Sequence, residues 1–222
     1  MRGYLILFFL FLFDINISFS QNTVSIGLKS SYNSSNINFY NNFFPQNIKT
    51  NSLDNYNFSF VTEIKNSKNT GIRIEISKIM KGWVQDYIIS SPFKSEFTYL
   101  NIPLMMTTYF GTNKTKINFS LGPYAEIQID NNSQNLRKDY PDLSFYFDES
   151  RDNKFGYGLV ANAGLSFDLN KSSFQVLVSY QYNFDNLIDL EQKSSIIPDI
   201  SNFNTLSISF VYLFNFLKKD EL

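Results

Sequence analysis

Cys and His, two residue types that supply much of the chemistry of active sites, are both missing from this chain of 222 residues. Without Cys there is no disulfide framework, no thiol nucleophile and no acylated lipoprotein cysteine. Without His, the usual proton shuttle and the commonest metal ligand are absent. These absences exclude Ser-His-Asp hydrolysis and most zinc sites. We therefore expect a protein that is not an enzyme and that holds no metal and no cofactor.

Charge is also scarce. Asp, Glu, Lys and Arg make up 18% of the residues, and the formal net charge is -1. Roughly 25% would be ordinary for a soluble domain, and a nucleic-acid partner would require a basic stripe. Hydrophobic residues reach 43%, yet the mean hydropathy is slightly negative, at -0.19. Apolar and polar side chains must therefore be interleaved, and we expect no nucleic-acid partner.

Long apolar runs are absent except at the start of the chain. Arg2 precedes a continuous apolar stretch from Tyr4 to Phe13, and Ser18-Phe19-Ser20 then offers small residues before Gln21. This order is typical of a secretory signal peptide, and the run is shorter than the roughly 20 residues of a membrane-spanning helix. The sequence predicts a signal peptide over residues 1–20 and one domain over residues 21–222.

The rest of the chain alternates apolar and polar residues with a period of two, which is typical of strands. The clearest strands are Lys116–Ile129, Tyr157–Leu169, Ser173–Phe184 and the segment from Leu206 to Phe216. Four earlier strands are predicted at Thr23–Tyr32, Tyr56–Lys65, Gly71–Lys81 and Phe97–Phe110. The alternation indicates an all-β fold of eight antiparallel strands.

The connections between these strands alternate between two lengths. Three are tight and rich in turn-forming residues: Lys65–Thr70, Gly111–Thr115 and Leu169–Ser172. Four are long and polar: Asn33–Asn55, Gly82–Glu96, Asp130–Phe155 and Asp185–Asn204. All tight turns then lie at one end, as in outer-membrane barrels with short periplasmic turns and long extracellular loops. The sequence predicts an up-and-down transmembrane β-barrel in the bacterial outer membrane.

A soluble lipocalin-like ligand-binding barrel is the competing interpretation, because its strands alternate in the same way. The predicted strands are long enough for a tilted membrane crossing, and their polar faces contain few Lys and Glu. Aromatic residues also recur near both ends of the apolar faces, as membrane interfaces favour. The predicted lipid-interface aromatics are Tyr157, Phe167, Phe174, Phe184, Phe214 and Phe216.

If the apolar faces contact lipid, the polar faces point into the barrel. Eight strands leave an interior that side chains can fill, so a broad pore is not expected. Charged residues of both signs occupy the alternate strand positions whose side chains point inward, where each would have an oppositely charged partner. The predicted lumen-facing cluster, with a structural role, comprises Lys29, Glu63, Arg73, Glu75, Glu126 and Asp168.

Several short segments resemble PorT-like outer-membrane β-barrel proteins of Bacteroidetes-type bacteria. They are Tyr99-Leu100-Asn101-Ile102-Pro103-Leu104, Tyr109-Phe110-Gly111, Gly122-Pro123-Tyr124, Gly158–Gly164 and Ser179-Tyr180-Gln181-Tyr182. The resemblance covers most of the chain after the signal peptide, and its motifs are structural. It implies a small outer-membrane barrel with an accessory role in secretion or envelope assembly at the cell surface. It supplies no catalytic residues.

The C-terminus departs from the usual aromatic end of outer-membrane barrels. Phe216 is followed by six further residues, and the last four are Lys219-Asp220-Glu221-Leu222. This tetrapeptide is the retention signal of the eukaryotic endoplasmic reticulum. With an export signal in front, it leaves open a soluble luminal barrel as the alternative location.

Two single residues carry local expectations. Pro103 cannot donate a ladder hydrogen bond, so we expect a bulge or a bend around it. Trp83, the only Trp, stands near the start of a predicted long loop, where an interfacial anchor is the favoured interpretation.

Acidic runs near Asp148–Asp152 and Asp185–Glu191 are interpreted as solvated loop charge, although carboxylates of this kind could also bind a divalent cation.

The sequence thus predicts a non-enzymatic outer-membrane barrel that displays four loops at the cell surface. Its expected partners are the lipid of the outer membrane and an envelope or secretion protein that binds the long loops. A small barrel enzyme acting on lipids is a further hypothesis, which the absence of His disfavours.

Overall fold

The computed structural model describes residues 23–40, 50–66, 69–86, 92–112, 114–134, 152–169, 171–188 and 199–217. The predicted signal peptide and the Lys219-Asp220-Glu221-Leu222 tail lie outside these residues. Among the described residues, no helix is both long and apolar enough to cross a bilayer.

Eight antiparallel strands close into one barrel, in which each strand pairs with its neighbours in the sequence and the last pairs with the first. This confirms the predicted all-β, up-and-down fold. Closure leaves no free edge along the common length of the strands, so the backbone groups there bond within the barrel. The strands are β1 Thr23–Tyr40, β2 Asn51–Lys65, β3 Thr70–Gln85, β4 Phe93–Gly111, β5 Thr115–Gln134, β6 Phe155–Asp168, β7 Ser172–Asn183 and β8 Ile200–Leu217.

The three tight turns lie together at one end of the barrel, which we call the turn end; the long connections lie at the loop end. Each turn is closed by a backbone hydrogen bond, for example from Leu169 N to Ser172 O at 2.8 Å. Gly111 has a φ of 138°, a conformation that side chains with a Cβ rarely adopt. Gly therefore suits the start of the β4–β5 turn.

Several strands extend further toward the loop end than the sequence predicted. The register of β1 and β8 continues from Tyr32↔Ile208 to Tyr40↔Ile200, although residues 33–40 were predicted as part of a connection. Residues 51–55, 82–85, 93–96, 130–134 and 200–204 are likewise strand. Outward-facing residues need to be apolar only where they contact lipid. Beyond that zone the alternation of apolar and polar residues ends, although the ladder of backbone hydrogen bonds continues.

Alternation along each strand divides the side chains between the two faces of the wall. On β2, Phe58 and Phe60 are exposed, whereas Ser59, Val61 and Glu63 are buried. The same inversion of an ordinary soluble barrel, with large apolar residues outside and polar residues inside, recurs on all eight strands. It is the arrangement expected when lipid surrounds the barrel.

Pro103 lies in the middle of β4 without the predicted bulge. The β3–β4 register runs through Ile74↔Leu104 and resumes unshifted at Ser77↔Asn101, and Pro103 does not pair with β3. On its other side Pro103 pairs with Tyr124 of β5. The missing N–H therefore interrupts one ladder locally and does not change its register.

Candidate functional site

The interior of the barrel is the candidate site, because the inward side chains of eight strands meet there. A barrel of this size is narrow enough for side chains to fill. From the turn end to the loop end, the interior contains a charged network, an isolated ion pair and a cluster of aromatic and aliphatic residues.

Seven charged side chains with alternating sign form what we call the turn-side network. Its ion pairs run from Lys29 to Glu75 (2.8 Å), Glu75 to Arg73 (3.9 Å), Arg73 to Glu63, Glu63 to Lys65 (3.3 Å), Lys65 to Asp168 (3.9 Å) and Asp168 to Lys116 (2.8 Å). Exposure is 24% for the side chain of Lys116 and 23% for that of Asp168, but 0% for Arg73. The network therefore extends from the rim into the sealed interior.

Arg73 and Glu63 form the centre of this network. Arg73 Nε donates to Glu63 Oε2 at 2.9 Å, and Arg73 Nη2 donates to the same oxygen and to Gln175 Oε1 on the opposite wall. Tyr109 Oη donates to Glu63 Oε1. Buried charges are tolerated when they are paired and hydrogen-bonded in this way.

The second group is the loop-side pair, Lys81 and Glu126. Lys81 Nζ lies 2.8 Å from each carboxylate oxygen of Glu126 and 3.0 Å from Asn183 Oδ1, which uses all three ammonium donors. The Nδ2 atoms of Asn101 and Asn183 each donate to Glu126 at 2.8 Å. Both charged side chains are fully buried, with exposures of 0%.

Above this pair, toward the loop end, ten buried residues form what we call the apolar plug. Trp83 stacks on Phe97, with ring centroids 5.6 Å apart, and packs edge-on against Phe39. The members are Ile37, Phe39, Ile79, Trp83, Phe93, Phe97, Tyr99, Leu187, Ile188 and Phe203. The prediction of Trp83 as an interfacial anchor is wrong: β3 continues to Gln85, and residue 83 has the inward parity of Arg73.

Leu187 and Ile188 reach the plug from the segment after β7. Strands β6 and β7 extend less far toward the loop end than β5 and β8, and backbone hydrogen bonds bridge the resulting gap. Leu187 N donates to Ser201 O at 3.0 Å, Asn153 N donates to Leu187 O at 3.1 Å, and Gln128 N donates to Lys154 O at 2.7 Å. The segments 152–154 and 185–188 thus continue the wall at its lowest side.

Asp185 anchors one of these bridging segments. Its Oδ1 accepts hydrogen bonds from Tyr157 N at 2.8 Å and from Asn183 Nδ2 at 3.2 Å. Burial raises the pKa of the Asp185 carboxyl above its ordinary value, although these hydrogen bonds act in the opposite direction. Asp185 is therefore half-buried rather than a solvated loop charge, in contrast to the sequence-based interpretation.

The structure joins five of the six residues of the predicted cluster in the turn-side network and places the sixth, Glu126, in the loop-side pair. Lys65, Lys81 and Lys116 were missed. The signal was available, because Lys81 has the parity of Arg73 and Glu75, and Lys65 has that of Glu63. The alternation along the strand thus indicated that these side chains face inward. It did not identify their partners, which are Glu126 on β5 for Lys81, Asp168 on β6 for Lys116, and both Glu63 on β2 and Asp168 for Lys65.

A family model described as an outer membrane protein beta-barrel domain matches residues 19–189. The chain belongs to this family. Its strands therefore cross the bacterial outer membrane, and its outward face contacts the lipid of that membrane. No curated protein matches the chain.

Solved structures that are similar to this barrel include several outer-membrane proteins. Neisserial surface protein A (NspA) has a TM-score of 0.50 and 9% identity, over 89% of this chain and 100% of that protein. Ail, the attachment invasion locus protein of Yersinia pestis, has a TM-score of 0.43 and 12% identity, over 86% and 99%. The outer membrane protease OmpT from Escherichia coli has a TM-score of 0.36 and 9% identity, over 90% and 98%. Of these three, only NspA reaches a TM-score of 0.50, and at 9% identity its likeness shows the fold alone.

This membership decides between the two locations that the sequence left open. An outer-membrane β-barrel family accounts for the lipid-facing apolar belt, whereas the soluble lipocalin-like alternative and its luminal location find no support. Within the described ranges, no three Asp, Glu, His or Cys side chains are grouped so that they could hold a metal ion.

Proposed function

We propose that this protein is a non-enzymatic outer-membrane barrel whose interior is structural and whose long loops bind a partner at the cell surface. The observation that carries the proposal is the filling of the lumen. The paired charges use the interior for internal contacts, and the apolar plug occupies the loop end.

The role of the lumen-facing charges follows from their pairing. Lys29, Glu75, Arg73 and Glu63 each have an oppositely charged neighbour within 4 Å, and a passage for ions or solutes would instead require free polar groups around open space. We assign to the turn-side network and the loop-side pair the function of holding opposite walls together.

The six outer aromatic residues fit two interfacial belts. Phe167, Phe174, Phe214 and Phe216 lie near the turn end, whereas Tyr157 and Phe184 lie near the loop end. All six are exposed, and Tyr157 contacts Phe184 edge-on at 6.3 Å. Aromatic side chains favour the boundary between acyl chains and headgroups, so we propose that these residues mark the two faces of the membrane.

The partner is proposed as an envelope or secretion protein that contacts the long loops. The support for this class is the resemblance of the strand segments to PorT-like barrels, together with the alternation of loop lengths. Loops carry recognition when a rigid scaffold positions them, and the closed barrel is such a scaffold.

The absence of native Cys allows a direct test of loop display. Asn132→Cys introduces a thiol on the exposed loop-end part of β5, and Lys114→Cys introduces one in the tight β4–β5 turn. A membrane-impermeant maleimide applied to intact cells should label the first variant and should label the second only after permeabilisation. The reverse pattern would contradict the proposed orientation.

Replacement of residues 135–151 by a short Gly-Ser linker tests the division between scaffold and loops. The variant should retain the change in gel mobility on boiling that a folded barrel shows, because the interior contacts lie in the strands and in segments 152–154 and 185–188. Its conductance in a planar bilayer should remain as low as that of the unmodified chain. A large, stable conductance in the unmodified chain would contradict the structural role of the lumen.

A further inference from the structure

The outer face has one row in which a small residue interrupts a line of large ones. The cross-strand partners in this row are Phe210 of β8, Ser30 of β1, Phe58 of β2, Lys78 of β3 and Leu100 of β4. All five side chains point outward and are exposed. Because the Ser30 side chain is short, the wall is recessed between Phe58 and Phe210.

This recess is part of an apolar groove of about 720 Å³. One step nearer the turn end, Leu28 lies between Phe60 and Tyr212, and these three residues also line the groove. Its walls are thus mainly aromatic and aliphatic, with the dimensions and chemistry that suit an acyl chain.

Lys78 lies at the side of the groove and gives it a charge. The preceding outward residues of β3, Ile72, Ile74 and Ile76, are apolar and exposed. Within the described part of the chain, Lys78 makes no ion pair. An exposed cation on an otherwise apolar face can bind an anion supplied by the membrane.

The height of Lys78 indicates which leaflet supplies that anion. Lys78 lies eight positions after Thr70, which is at the turn end. At about 3.3 Å per residue and a tilt near 40°, this corresponds to roughly 20 Å along the membrane normal, within an apolar band about 25 Å tall. The Lys78 ammonium can extend further toward the interface, so it reaches the headgroups of the loop-side leaflet.

A second groove on the outer face provides an internal comparison. It has a volume of about 580 Å³ and is recessed at Ala161 and Ala163, between Phe119 and Leu121 of β5 and Val178 and Tyr180 of β7. No charged residue lines it. Both grooves can accept an acyl chain, but only the groove at Ser30 also offers a cation.

We propose that the groove at Ser30 is a binding site for a lipid of the loop-side leaflet whose phosphate-bearing headgroup has a net negative charge. An acyl chain of the lipid occupies the recess between Phe58 and Phe210, and its phosphate pairs with the ammonium of Lys78. This site lies on the membrane-facing wall and is independent of what the long loops bind.

Native mass spectrometry of the detergent-purified barrel tests the proposal, with dioleoyl phosphatidylglycerol and dioleoyl phosphatidylcholine as probes of equal chain length. The unmodified chain should retain phosphatidylglycerol with about a fivefold preference, the gain expected from one Lys near an anionic lipid. Lys78→Gln should bring the ratio close to one, Lys78→Arg should keep it, and Ser30→Leu should reduce the binding of both lipids.

Two matched controls distinguish a specific site from the general lipid shell. Lys171→Gln removes an exposed cation at the β6–β7 turn, and Ala163→Leu fills the second groove; neither should change the preference. Gel mobility before and after boiling establishes that each variant is folded. A preference that persists in Lys78→Gln, or that Ala163→Leu lowers as much as Ser30→Leu, would overturn the proposal. Dimers that Ser30→Leu abolishes would instead assign the groove to a second copy of the chain.

Discussion

The two halves of the barrel interior fill the same space with different chemistry. At the turn end, Glu63 contacts both Arg73 and Lys65, and the charges continue outward to partly exposed Asp168 and Lys116. At the loop end, Lys81 has Glu126 as its one carboxylate partner among the described residues, and the apolar plug lies above them. Glu63, Arg73 and Lys65 in the network each keep a second charged partner when the first is lost, whereas Lys81 and Glu126 do not. We therefore expect the loop half to be the more sensitive to substitution.

Glu126→Gln should show the largest effect. It leaves the Lys81 ammonium buried without a carboxylate, and it places a third amide donor beside the Nδ2 groups of Asn101 and Asn183. Breaking a buried ion pair in this way costs about 3–5 kcal/mol. Urea unfolding of the barrel in lipid vesicles, followed through the fluorescence of Trp83, measures the loss in the free energy of unfolding.

Two controls show whether this loss arises from the unpaired charge. Glu63→Gln, in the turn-side network, should cost less, because Arg73 keeps Glu75 and Lys65 keeps Asp168 as a charged partner. Lys81→Met combined with Glu126→Leu should recover most of the stability, since replacing both members of a buried pair by apolar residues is often neutral. Equal losses for Glu126→Gln and Glu63→Gln would remove the contrast between the halves.

Leu187→Ala should have the next largest effect. Leu187 is buried in the apolar plug, and its truncation leaves a cavity beside aromatic rings. We expect a loss of about 2 kcal/mol, at the lower end for a buried Leu→Ala change, because the segment after β7 can adjust. The emission of Trp83 should move to longer wavelength as water gains access. Leu206→Ala, on the exposed outer face, is the control and should leave the emission unchanged.

Asp168→Asn should cost roughly 1 kcal/mol or less, because its ion pairs with Lys116 and Lys65 are partly exposed and exposed pairs contribute little. The difference from the unmodified chain should shrink further in 1 M salt, where screening is strong. A loss that matches that of Glu126→Gln, or that salt does not change, would show that the rim behaves like the sealed interior.

The pH dependence at Asp185 should be the smallest effect. Burial raises the pKa of this carboxyl in the folded state, so the folded chain binds a proton more readily than the unfolded chain. Its contribution to stability therefore falls as the pH rises from the ordinary Asp pKa through the raised value. Unfolding measurements between pH 4 and pH 7 should show a shallower decline for Asp185→Asn; an identical slope would contradict this assignment.

The strand pattern was readable from the sequence wherever the wall meets lipid, because lipid demands an apolar residue at every second position. Toward the loop end this demand ends, and the prediction stopped β1 at Tyr32 although its ladder with β8 continues to Tyr40. The inward position of Trp83 was lost for the same reason, since the predicted strand ended at Lys81.

The contacts within the lumen were less accessible to sequence reasoning. The alternation along a strand predicts that Arg73 and Lys81 face the lumen, but it does not identify which residue each one contacts across the barrel. Arg73 on β3 meets Gln175 on β7, and Lys81 meets Asn183 on β7, across the width of the barrel. Such pairs depend on the stagger of eight strands at once, which no local pattern of residues determines.

The ladder between β1 and β8 also has a kinetic meaning. Among the described strands it is the only pairing between strands that are remote in the chain. It runs from Val24↔Leu217 to Tyr40↔Ile200 and is longer than the β6–β7 ladder from Gly158 to Asp168. Every other ladder joins consecutive strands and can form by local hairpin closure, whereas this one requires the first and last strands, β1 and β8, to meet. We expect this seam to close last, so that its many rungs make the final step of assembly the one that commits the barrel to its closed form.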